Sequence, residues 1–435
     1  MSSEEAKKEP NVTDAEKEEE EKEKKQQQKE AEEEAKTVSF QFPFILLKTK
    51  RGLNLLDRLA ALRFTKHFGS LSLYLFPAVG AIGLSLVLLS VSLTLSSTQV
   101  RSFMTKSGPL VNLLIPGLNP YVPLVYGWIA LIIAMIVHEG SHGVIARYFK
   151  FRVKTSGLVF FTVVLVGAFV DIDEEDLKKA PARKTSRVMA GGPMSNFIVG
   201  VASLAVLMLV VSSMTPVGNG IGITGIYQDS PANKAGIQAS DMLLAINGTK
   251  VTGIEDANNT LSHLKPGDKV TLTLLHDGRQ EEKSITLAQN ENTSRAFIGF
   301  VGIDSAAINY TLDRYRTPSL MSPLIYFFLP TFASGQYQVP YSDAMHSFYT
   351  SPLGGATYIF ANLFFWLWFV NFNLAIFNAL PLYPLDGGQA VRAALTSYGA
   401  TKGWKPNTAK RIVTIISLAI VALIVSVIAG PYLIR

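Results

Sequence analysis

Long apolar blocks alternate along this chain with short, polar and mostly basic loops. Five blocks, at about 70–95, 122–146, 188–214, 355–380 and 411–430, each come near the ~20 residues that cross a ~30 Å hydrocarbon layer. Each block predicts a membrane-spanning helix. A further apolar stretch at 318–334 is interrupted by Pro318, Pro323 and Pro330, and counting it as a span would reverse the topology of everything after it. It is expected to be interfacial or re-entrant. Residues 151–170 are rich in Val and Phe, carry glycines at 157 and 167, and follow the second block too closely to make another helix. They predict a β-hairpin associated with the membrane beside the second span. From about 217 to 310 the texture changes again, to short apolar runs such as Gly220–Ile226, Asp241–Gly248 and Val270–Leu275 separated by Gly, Asn and Pro turns. The expected fold class is a polytopic α-helical membrane protein with about five to six transmembrane helices, a membrane-associated β-hairpin and an inserted α+β domain.

Composition agrees with that pattern and narrows the chemistry. The chain has 435 residues, of which 48% are hydrophobic and 17% charged, too apolar a mixture for one ordinary soluble domain. Residues 1–40 are the opposite: they are mostly Glu, Lys and Gln, cannot bury enough surface to offset their ordering entropy, and are expected to form a disordered tail. No short apolar core with a small-residue cleavage site follows them, so they do not read as a signal peptide. The net charge of +6 suggests nucleic acid only until the basic residues are located. Lys48, Lys50, Arg51, Arg58, Arg63 and Lys66 precede the first span, Arg147 to Arg187 follow the second, and Arg392, Lys402, Lys405, Lys410 and Arg411 precede the last. By the positive-inside rule these loops are cytoplasmic, which puts the N terminus inside and the 217–350 segment outside the cell membrane. The partner implied is a lipid bilayer and not a nucleic acid.

Within the second span lies His138-Glu139-Gly140-Ser141-His142, an H-E-x-x-H motif. Two histidines four apart project from one helix face, so both imidazoles reach one Zn²⁺ while the glutamate between them reaches a water on the metal. The plainer reading is a pair of core histidines, but two imidazoles and a carboxylate in a lipid-embedded helix are costly without partners or work to do. The chain has no cysteine, so a third ligand must come from His, Asp or Glu. His138 lies roughly 16 residues into its span, or ~24 Å along the helix, near the cytoplasmic side. The fourth span runs in the same direction and ends at Asn378-Ala-Leu-Pro-Leu-Tyr-Pro-Leu-Asp386-Gly-Gly388, which delivers Asp386 to the same depth. A turn or helix-capping role for Asp386 is the alternative. Gly191-Gly-Pro-Met-Ser-Asn196 opens the third span, where Asn196 is placed to orient a substrate strand or donate to a developing oxyanion, against a plain helix start with proline in its first turn.

Taken together these three elements resemble the site-2 protease family of intramembrane zinc metalloproteases. The resemblance rests on H-E-x-x-H in one span, G-P-x-x-N in the next, and N-x-x-P followed by L-D-G in a later one, over about 120–215 and 355–390. One departure is Tyr383 in place of the second proline of the usual N-x-x-P-x-P run, with Pro384 next to it. The resemblance implies one Zn²⁺ per chain held by His138, His142 and Asp386, Glu139 as the catalytic base, and Asn196 with Asn378 positioning substrate. It also implies transmembrane protein substrates, cut in or near the membrane. The stretch Ser230-Pro-Ala-Asn-Lys-Ala-Gly-Ile237 followed by Asp241-Met-Leu-Leu-Ala-Ile-Asn-Gly248 resembles a PDZ domain, with Ser240 where a glycine is usual. Such a domain implies either the reading of a substrate's C-terminal peptide or the exclusion of substrates with bulky outer domains.

The domain organisation expected is a tail at 1–40, an N-terminal membrane part at 41–215, the extracytoplasmic PDZ domain at 216–310, an interfacial segment at 311–354 and a C-terminal membrane part at 355–435. Two other functions stay open on the sequence. Membrane proteases of the prenyl-processing type also carry H-E-x-x-H, but take a third ligand from a downstream glutamate helix motif that is not found in this chain. A non-catalytic metal-binding scaffold or transporter with a PDZ domain is the other.

Overall fold

Each of the five apolar blocks folds as a helix in the computed structural model, which describes residues 37–50, 52–162, 164–290, 293–317, 336–405 and 407–434. They are α2 (Arg63–Ser96), α3 (Leu124–Tyr148), α4 (Ala182–Ser212), α6 (Ala356–Asn378) and α8 (Thr408–Leu433), with α1 (Leu53–Ala60) before them, α5 (Ile254–Ser262) in the β domain and α7 (Asp386–Thr401) between the last two. Among the described residues these five are long and apolar enough to cross a membrane. Large apolar side chains such as Leu71, Leu88, Ile415 and Leu418 stand exposed on α2 and α8, as lipid-facing surfaces require. The stretch 318–334 and the tail up to residue 36 lie outside the described residues.

One expectation needs correcting. Gly191–Asn196 does not open its helix, because α4 begins at Ala182 and puts Pro193 in the helix interior. The Ala, Arg and Lys residues ahead of the apolar run are strong helix formers, and they carry the helix back beyond the apolar stretch.

By its contacts the chain divides into two units, whose boundaries fall within the long helices. The first comprises Met1–Gly83, Met135–Ser195 and Asn378–Ile420. Its sheet is larger than a hairpin. Strands β3 (Val153–Phe161) and β4 (Val164–Ile172) form the antiparallel pair read from the sequence, and β1 (Val38–Gln41) and β2 (Phe44–Thr49) extend it in the order β1-β2-β3-β4. The β2–β3 register runs from Phe44 opposite Phe161 to Thr49 opposite Ser156. Residues 38–40, read as part of the tail, therefore belong to a strand. The acidic run after β4 starts a short helix, with Asp173 accepting the Glu175 and Asp176 amide N–H groups as its N-cap and pairing with Arg152.

The second unit comprises Leu84–Ala134, Asn196–Phe377 and Val421–Arg435. Its helical core gathers Ala130, Leu207, Phe365, Trp366 and Trp368 with Tyr315, Tyr341 and Phe348, all buried. Beside this lies an antiparallel sheet of β5 (Ile221–Ile226), β6 (Met242–Ile246), β7 (Lys269–His276), β8 (Arg279–Thr286) and β9 (Phe300–Ile303), in the order β8-β7-β6-β5-β9. Alternate residues Ile221, Ile223, Leu243, Leu272 and Leu274 fill its core, with Ala257 of α5. Met242 belongs instead to the helical core, so this α+β domain is joined to the helices of its unit by packing as well as by the chain.

A buried carboxylate in that domain has a titratable partner. Asp241, 1% exposed, accepts the Gln238 amide N–H and lies 2.6 Å from His276 Nδ1. The hydrogen bond to Asp241, then its charge, raise the His276 pKa above its ordinary value. A value raised by folding stabilises the fold fully below the unfolded pKa of about 6.5 and is lost as pH climbs through the folded one. The stability difference between wild type and His276→Gln is therefore expected to be full below about pH 6.5 and to shrink as pH rises above it. Amide exchange across 242–246 and 269–276 in the full chain reads it, and a difference independent of pH would refute it.

Candidate metal centre and active site

The H-E-x-x-H motif occupies the C-terminal half of α3, where the helical repeat turns His138 and His142 to one side. Their rings lie edge to face with centroids 4.8 Å apart. Asp386 reaches them from the first turn of α7, a position where the helix dipole favours a carboxylate. Its Oδ2 stands 3.1 Å from His138 Nε2 and 3.3 Å from His142 Nε2. All three residues are buried, at 7%, 7% and 9% exposure. Among the described residues they form the cluster of His and carboxylate groups with metal-binding spacing.

The geometry fits one zinc ion. Two ligands at 2.0–2.1 Å from a tetrahedral zinc stand about 3.3 Å apart, close to the separations here. His142 Nδ1 lies 2.7 Å from the Val188 carbonyl oxygen, and as its donor leaves Nε2 with a free lone pair facing the cluster. Space for the imidazoles is secured by Gly192 of α4, where a Cβ would stand 2.3 Å from His142 Nε2 and 2.8 Å from His138 Nε2. Ser195, almost one turn further, donates from Oγ to the Gly192 and Val137 carbonyls and so ties α4 to α3.

Glu139, next to His138 on the same helix, meets β4, its Oε2 accepting the Val170 amide N–H at 3.0 Å. Asn378 ends α6, half-buried and eight residues before Asp386, and the cluster forms without it. Asn196 lies in the second unit, fully buried on α4. Sequence reading missed Gly192, the Val188 carbonyl and the Val170 amide. Only the paired glycines at 191 and 192 offered a signal, as a mark of close helix packing.

The model of peptidase family M50 matches residues 126–424, more than two thirds of the chain. This chain belongs to peptidase family M50. That is the site-2 protease family to which the motifs pointed, and the match takes in H-E-x-x-H, Asn196, the α+β domain and Asp386. An uncharacterized protein of Methanocaldococcus jannaschii is 26% identical over 344 residues, 79% of this chain and 75% of that protein. The zinc metalloprotease RasP of Shouchella clausii is 24% identical over 257 residues, 57% of this chain and 59% of RasP. The probable protease eep of Enterococcus faecalis is 26% identical over 239 residues, 52% and 54% of the two chains. The chain thus spans under two thirds of these two bacterial relatives. A solved PDZ domain of an SdrC-like protein from Listeria monocytogenes is 21% identical, covering 20% of this chain and 90% of that domain at a TM-score of 0.19. The protein is a multi-pass membrane member of the family with an α+β domain inserted between its third and fourth spans.

Proposed function

We propose that this protein is an intramembrane zinc metalloprotease that hydrolyses peptide bonds in or near transmembrane segments of single-pass membrane proteins. The observation that carries the reading is the meeting of His138 Nε2, His142 Nε2 and Asp386 Oδ2 beside the Glu139 carboxylate, within a helix apolar enough to span a bilayer. These three would hold one Zn²⁺ per chain. Bound there, zinc polarises the scissile carbonyl and acidifies the attacking water. Glu139 takes the proton from that water as its oxygen bonds to the carbonyl carbon, and returns it to the nitrogen that leaves as the C–N bond breaks. Asn196 and Asn378 serve as substrate-positioning groups.

A helical substrate hides its carbonyls, so it must unwind before it is cut. The edge of β4 offers unwound backbone a partner through strand pairing. The basic loops support an orientation with the N terminus and the active-site end of α3 on the cytoplasmic side of the cell membrane and the PDZ domain outside. There the domain reads a substrate's C-terminal peptide or turns away bulky outer domains. The deciding experiment incubates the purified full-length chain with a tagged transmembrane peptide and measures metal content in parallel. Expected are about one zinc per chain and cuts mapping within or beside the apolar segment. Zinc binding without any cleavage, or cleavage that survives complete zinc removal, would overturn the proposal.

A further inference from the structure

We infer that the backbone amide of Val170 is a positioning group that holds the Glu139 carboxylate in its working orientation, an inference that rests on the protease reading above. Strand β4 is the outer strand of its sheet among the described residues, pairing with β3 along one side. In an antiparallel strand alternate residues turn their N–H groups outward. Between residues 167 and 170 the β3–β4 register is regular, so Ala168 and Val170 share an edge. The Val170 N–H leaves that edge and meets Glu139 Oε2 at 3.0 Å. A bond from a neutral amide to an ionised carboxylate is of the stronger kind, and here it comes from backbone whose direction the sheet fixes.

The contact is built into the packing. Glu139 and Gly143 lie one turn apart on the same face of α3. At Gly143 an added Cβ would stand 2.8 Å from Leu56 Cδ1 and 3.2 Å from Val170 Cγ1. The missing side chain lets β4 approach α3 closely enough for its amide to reach the glutamate. A carboxylate on a flexible three-bond stem is otherwise free to swing off the attacking water, and a misplacement of about 1 Å costs ~100-fold in rate. A substrate strand on the β4 edge finds the Val170 amide taken. Losing that amide should therefore slow the chemical step and leave binding alone.

The test compares the full-length wild type with Val170→Pro, which deletes the N–H at an edge position that tolerates proline, and Val170→Ala, which keeps it. Val170→Pro is expected to lower kcat about 10- to 100-fold with KM and zinc content held, and Val170→Ala to recover kcat to within about threefold. A Val170→Pro enzyme with wild-type kcat, or with a raised KM and unchanged kcat, overturns the inference. A second measurement needs no activity: hydrogen exchange at the Val170 amide should speed up roughly tenfold or more in Glu139→Ala, since an outward edge amide has no other protection. Unchanged exchange refutes the bond, and this comparison decides alone if the proline variant loses its fold or zinc. Should the wild type bind zinc and cut nothing, the proposed function fails while the exchange result still decides for or against the bond.

Discussion

Glu139→Gln is expected to bind zinc as the wild type does and to lose about 10²- to 10⁴-fold in kcat, the range for removing a general base. Glutamine keeps the length and shape of the side chain, and its amide oxygen still accepts from the Val170 N–H, so neither α3 nor β4 has cause to move. The histidines and Asp386 keep their places, because Glu139 is not among the three converging atoms. What disappears is the ability to take a proton from water. Measuring metal content and single-turnover cleavage on one preparation separates the readings that share the motif. A metal-binding scaffold or transporter would be untouched by the substitution, and undiminished cleavage would remove Glu139 from the mechanism.

The second large effect belongs to the converging side chains. His138→Ala and Asp386→Asn are each expected to weaken zinc binding by more than about 100-fold, since loss of an outer-shell partner alone costs 10- to 100-fold. Cleavage should fall to background with the metal. The two act differently. His138→Ala deletes a nitrogen from a rigid helix face and leaves only the His142 imidazole opposite Gly192. Asp386→Asn preserves volume and removes the negative charge that two neutral imidazoles and a dication call for, so saturating zinc should restore more activity to it than to His138→Ala. Equilibrium dialysis with graded zinc, with cleavage assayed at each point, checks both. An Asp386→Asn protein with wild-type affinity would remove that residue from the ligand set.

Much of this was open to reading from the chain alone, for physical reasons that differ by residue. Apolar blocks of bilayer length declare themselves, because lipid imposes one requirement on every side chain along the helix. The four-residue spacing of His138 and His142 is likewise local. Asp386 lies 248 residues from His138 and was still reachable, because span direction and depth confine where a carboxylate can arrive. The sheet was only half legible: β3 and β4 are neighbours in sequence, whereas β2 pairs with β3 across more than a hundred residues, and strand periodicity carries no information about partners. Phe40, Phe42 and Phe44 around Pro43 were a usable hint of a turn between strands. Gly192, Val188 and Val170 act through shape or backbone, so nothing in their own side-chain chemistry announced them.

That sheet has a mechanical corollary. From Val38 to Glu139 the path runs through four laterally bonded strands and one final amide, with no loose linker in between. Tension or displacement applied where the chain enters β1 would thus be transmitted sideways, rung by rung, to the carboxylate, even though the whole of α2 separates those residues along the sequence.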